Sequence, residues 1–210
     1  MTASGIQSWH AEAQQGPERP TEAPREKPDS AQPGGEPAGS DEAAKRESPL
    51  QRLMKDGVPD NAVDRARLRD SLYALLATAA DEKASKQVAA ALRQVWLTSG
   101  SDTIDLLMAR ALKAQAGKKD DLSLELLNAA IELAPDYAEA WNRRAYLHYK
   151  QNDYRSAAGD LRRVLALDPK HYRALDGLGT ILRESGDDVG ALKVYERLLD
   201  INPHSAGAKK

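Results

Sequence analysis

Cysteine is absent from the 210 residues, and so is phenylalanine. Without cysteine there are no disulfides and no thiolate metal sites, while the redox compartment stays open. No apolar run approaches the roughly 18 residues of a membrane-spanning helix. Nor does residue 1 begin a charged segment followed by an apolar core, as a secretory signal would. Excess charge is lacking too. Lys and Arg number 30 against 32 Asp and Glu, a net of −2, which argues against the basic face of a general nucleic-acid binder.

Catalytic patterns are equally scarce. No nucleophile–base pair stands at a recognisable spacing. The four histidines, His10, His148, His171 and His204, are too dispersed for a metal site. GLGTIL at Gly177 to Leu182 imitates part of a dinucleotide loop but lacks the third glycine and follows no strand, so it reads as close helix packing at Gly179. DGVPDNAVD, from Asp56 to Asp64, lacks the spacing of a calcium loop, and Asp60 there reads as a helix cap. The expectation is no enzyme, no cofactor and no metal.

What the chain does have is distributed unevenly. Residues 1–49 hold seven of the eleven prolines and almost no aliphatics, and residues 1–48 carry nine acids against five bases. Such a segment buries too little apolar surface to offset its ordering entropy, so a disordered leader is expected over 1–49. Leu50, Leu53 and Met54 suggest a short amphipathic turn ended by Gly57 and Pro59. Asp60 or Asn61 then caps a helix over about 62–79, with Leu68, Leu72, Leu75 and Leu76 on one stripe. A second helix follows Asp81 through Val88, Ala91, Leu92, Val95 and Trp96, and Ser99-Gly100 stops it.

From residue 104 a period of 34 residues takes over. Pro135, Pro169 and Pro203 are spaced by it; so are Ala111, Ala145 and Gly179, and Ser123, Ala157 and Ala191. Small residues recurring where two helices must touch, with a proline closing each period, mark a stacked repeat. Asn152-Asp153 and Gly186-Asp187, again one period apart, each pair a residue tolerant of left-handed backbone with an acidic cap. The stretch AEAWNRRAYLHYKQNDYRSAAGDLRRVLALDP, from Ala138 to Pro169, carries the pattern most fully.

This pattern resembles the tetratricopeptide repeat family, and the chain looks like a small bacterial member with a disordered leader. Where the family has phenylalanine, Leu127, Leu161 and Tyr195 stand. The resemblance implies an all-α solenoid of antiparallel helix pairs. Three repeats are expected at 104–137, 138–171 and 172–203, with a helical cap pair or degenerate repeat at 50–103 and a tail at 204–210. Position 101 is serine where the repeat has proline, and Arg93 occupies a position usually large and apolar.

In this family the first helix of each repeat lines a concave face. The resemblance therefore implies a partner-binding groove of Met108, Leu112, Asn142, Arg143, Tyr146, Tyr149, Arg173, Asp176, Thr180 and Arg183. Arg143, Tyr146 and Tyr149 share one helix face and are expected to be exposed; Tyr and Arg are enriched in binding hot spots. The chaperone-binding subfamily holds a terminal carboxylate at positions that are Met108, Leu112, Arg143, Arg173 and Gly177 here. Only Arg173 keeps the charge, so a cochaperone of that type is not expected.

The implied function is capture of a peptide or partner helix. The alternatives are a self-associating adaptor forming a homo-oligomer through the C-terminal repeat, and an accessory subunit regulating an enzyme. Two compartments stay open: the bacterial periplasm if a signal was removed ahead of residue 1, otherwise the cytoplasm.

Overall fold

Helix caps divide the chain at regular intervals, and each cap is local. A computed structural model describes residues 47–209; the expected leader lies outside the described residues as far as residue 46. Ser48 and Gln51 form a reciprocal capping box that starts α1, Pro49–Asp56. Asn61 accepts a hydrogen bond from the Asp64 amide and starts α2, Ala62–Ala77; Asp81 does the same with Ala84 for α3, Glu82–Leu97. Three helix pairs follow: α4 Asp102–Ala116 with α5 Asp120–Leu133, α6 Ala138–Lys150 with α7 Tyr154–Leu167, and α8 Tyr172–Glu184 with α9 Asp188–Ile201. A 3₁₀ turn at Gly207–Lys209 comes last.

Within each pair the turn is built alike. Lys118, Asn152 and Gly186, at 34-residue steps, take φ of 58°, 61° and 79°. Such values are strained for most side chains but cost least at Gly and Asn, and they let the chain reverse in two or three residues. Asp153 and Asp187 then cap the second helices through the amides of Ser156 and Gly190.

The recurring small residues sit where the helices of a pair touch. Ala111, Ala145, Ala157 and Ser123 are all but fully buried, and the Ser123 hydroxyl donates to the Ala111 carbonyl at 2.9 Å. At Gly179 a Cβ would lie 2.6 Å from the Tyr195 ring, so the large residue at the family's phenylalanine position requires glycine opposite. Leu127, Leu161 and Leu198 fill the pair cores, each contributing about 1.5–3 kcal/mol of burial. Trp141 joins the cores of the first two repeats, its Nε1–H donating to the Pro135 carbonyl at 3.1 Å. The described residues thus form an all-α solenoid of stacked antiparallel pairs.

The α2–α3 hairpin is placed less simply. Besides α1, which packs on both its helices, it contacts not α4, next in the chain, but chiefly α6 and α9. Leu72, Tyr73, Leu76, Val88, Leu92 and Trp96 make its core, to which α8 lends Tyr172 and α9 lends Ile201. Polar bonds pin it to the loops between repeats. The Tyr73 hydroxyl donates to Asp168 at 2.7 Å, the Ser85 hydroxyl donates to the side-chain oxygen of Asn202 at 2.9 Å, and the Tyr137 hydroxyl donates to the Trp96 carbonyl at 2.8 Å. Asp168 and Asn202 stand one repeat apart, each just before a repeat-closing proline. The hairpin therefore lies along the edge where the repeats' connecting loops line up. At that edge the hairpin meets the last repeat through Ile201 and Asn202.

Candidate functional site

Short inter-helix turns place the first helices of the pairs, α4, α6 and α8, side by side. Between them lies a cavity of about 650 Å³. Of the ten residues expected to face it, eight do: Leu112, Asn142, Arg143, Tyr146, Tyr149, Arg173, Asp176 and Thr180. Met108 does not line it. Only 1% exposed, it packs among Ile104, Ala111 and Leu127, because an apolar side chain at that turn is drawn into the core of the first repeat. Arg183 stands apart as well, its guanidinium 5.9 Å from the Tyr195 ring centre in a second, shallower pocket with Leu192, Gly207 and Ala208.

The aromatic pair differs within itself. Tyr146 is 54% exposed, whereas Tyr149 is half-buried and donates its hydroxyl to Glu184 at 2.8 Å. That hydrogen bond raises the Tyr149 pKa above the usual phenol value, so the group stays a neutral donor. Thr180 is turned inward, donating to the Asp176 carbonyl at 2.9 Å within α8.

Arg143 departs from the expectation of an exposed cation. Its side chain is only 14% exposed, and its Nε donates to Glu139 at 2.5 Å. Glu139 is itself 2% exposed and is held from three sides: by Arg143, by the Asn142 amide at 2.8 Å, and by His171, whose Nε2 lies 3.4 Å away. His171 is wholly buried, accepts the Ala174 amide on Nδ1, and stacks its ring on Trp96 at 4.0 Å. Burial pushes the Glu139 pKa upward, but the His171 contact and the Arg143 charge outweigh it and bring it to about 2. The carboxylate is ionised throughout the physiological range and fixes Arg143 in place.

One lining residue escaped the repeat logic altogether. Arg93, on α3, faces the groove because the hairpin carries it there. Its signal was visible in the sequence as a charge at a position usually apolar. Taken as repeat degeneracy, it gave no hint that the helix had left the repeat stack. The contact among Glu139, His171 and Trp96 was likewise missed, since it joins residues of α6 and α3 with the cap residue that precedes α8.

Comparison with known proteins adds the following. A family model described as tetratricopeptide repeat matches residues 142–206. Over 141 residues the chain is 42% identical to a TPR repeat-containing protein of Rhizobium etli, covering 67% of this chain and 69% of that one. It is 30% identical over 94 residues to small glutamine-rich tetratricopeptide repeat-containing protein 2 of Saccharomyces cerevisiae, covering 45% of this chain and 27% of the relative. Among solved structures it is similar to the first TPR of Spaghetti (RPAP3) bound to the HSP90 peptide SRMEEVD. That match has a TM-score of 0.50 and 20% identity, and covers 52% of this chain and 86% of the other, a likeness of fold.

Proposed function

Because the chain belongs to the tetratricopeptide repeat family, we propose that it is a non-enzymatic interaction module holding an extended peptide or partner helix in its concave groove. One observation carries this reading: the 650 Å³ cavity is walled by repeat residues from α4, α6 and α8, and half-open Tyr146 stands in that wall. A ring that is half in water gains area and a polar contact when a partner covers it.

The test is selection of random peptides by display on the full-length chain, followed by titration of the selected peptides. Tyr146→Ala should leave the circular dichroism melt unchanged, since its hydroxyl makes no hydrogen bond among the described residues. It should weaken peptide binding about thirtyfold, the equivalent of ~2 kcal/mol. Peptides that bind Tyr146→Ala at full strength would move the function off the groove. Arg143 is unsuited to such a test, because removing it strips a buried carboxylate of its partner.

A second reading has one observation in its favour. On α9, Val189 and Leu192 are 69% and 61% exposed, an apolar surface suited to a second copy. Sedimentation equilibrium of the wild type against Leu192→Glu decides it: a mass that rises with concentration only in the wild type supports self-association.

A further inference from the structure

Three arginines line the groove, and only one of them is answered. Arg143 is neutralised by Glu139. Arg93, toward the end of α3, and Arg173, in the first turn of α8, are both exposed, and neither makes a hydrogen bond or ion pair among the described residues. They come from separate parts of the chain, yet they bear on a common neighbour. Burial raises the Tyr172 phenol pKa; the charges of Arg173 and Arg93 both oppose the rise, while those of Glu139 and Asp176 add to it. The acid lining this cavity, Asp176, is turned toward the C-terminal 3₁₀ turn, where a Cβ on Gly207 would collide with its carboxylate.

The groove therefore carries two unpaired guanidiniums that both act on Tyr172, although the chain as a whole has a net charge of −2. Beside the two guanidiniums stand Leu112, Tyr146 and Ile181, an apolar wall. Resting on the groove reading above, we propose that the occupant is an acidic peptide segment whose side-chain carboxylates are held by Arg93 and Arg173. Guanidinium groups present paired donors that match a carboxylate, so each of the two can hold one acidic side chain of the segment. The hairpin then supplies half of the recognition site, and its docking against α6 and α9 is what sets the distance between the two cations.

The experiment uses the full-length chain and the display library described above. The selected peptides should be enriched in Asp and Glu. Arg93→Gln and Arg173→Gln should each weaken them about tenfold or more, and Arg93→Glu further still. All three variants should melt as the wild type does, because the side chains are exposed and unpaired. Amidating the acids of a selected peptide should reproduce the loss on the wild type, and raising the salt concentration should weaken binding. Peptides that depend on Tyr146 but ignore both arginines would overturn this inference and leave the groove standing. A loss that follows amidation of the peptide's C-terminus, and not of its side chains, would overturn the assignment to an internal acidic segment. Selection of no peptide, or of peptides indifferent to Tyr146 and both arginines, would overturn the groove reading and this inference with it.

Discussion

Changing Glu139→Gln tests whether the buried ionic cluster holds the hairpin and the repeats together. Folded, the carboxyl has a pKa of about 2 against an ordinary value of 4.5. A depressed carboxylate contributes stability that is fully present above its unfolded pKa and is lost as pH falls through the folded one. The window is therefore from about pH 4.5 down to about 2. The gap between the two values corresponds to about 3 kcal/mol. Because Glu139 is 2% exposed, solvent screens little of this. The amide variant leaves Arg143 and His171 without their anion, and breaking a buried pair typically costs about 3–5 kcal/mol. The assay is urea unfolding of both proteins at a series of pH values, followed by circular dichroism. At pH 7 the variant should be less stable by about 3 kcal/mol, and the two curves should draw together between pH 4.5 and pH 2. If the variant matches the wild type at pH 7, or a constant difference persists into acid, the ionised carboxylate does not contribute as described.

Further predictions concern the two joints of the fold. Tyr73→Phe removes the donor to buried Asp168 and should cost about 1.5–3 kcal/mol; hydrogen exchange should rise first in α2 and α3, and equal protection in both proteins would refute the pinning role. Trp141→Ala should cost about 3 kcal/mol and loosen the first two repeats together, because the ring, with Arg144 over its face at 4.8 Å, belongs to both their cores. A denaturant midpoint shift worth less than ~1 kcal/mol would show that Trp141 is not shared between them.

The helix pairs were legible in the sequence because their determinants are local. A cap such as Asp153 meets a backbone amide three residues on, and the small residues that set each helix contact, such as Ala111 with Ser123, lie twelve residues apart. A 34-residue period repeats those relations three times, so a stacked repeat could be read from spacing, and the family resemblance that the spacing carries implied the all-α solenoid and most of the residues lining the cavity. Met108 could not be placed that way: groove and core are neighbouring faces of α4, and whether one turn points to the first or the second depends on how the next pair is rotated. The position of the hairpin lay further beyond reach. Its bonds, Tyr73 to Asp168 and Ser85 to Asn202, join residues 95 and 117 positions apart, and no period relates them. Trp96, Glu139 and His171 each look ordinary in their own segment, and the buried cluster exists only once three segments meet. Local propensity and periodicity thus determined the helices and the order of their stacking. The tertiary structure decided where the non-repeating helices dock, and with them that Arg93 faces the groove, because that choice rests on long-range burial that no single segment encodes.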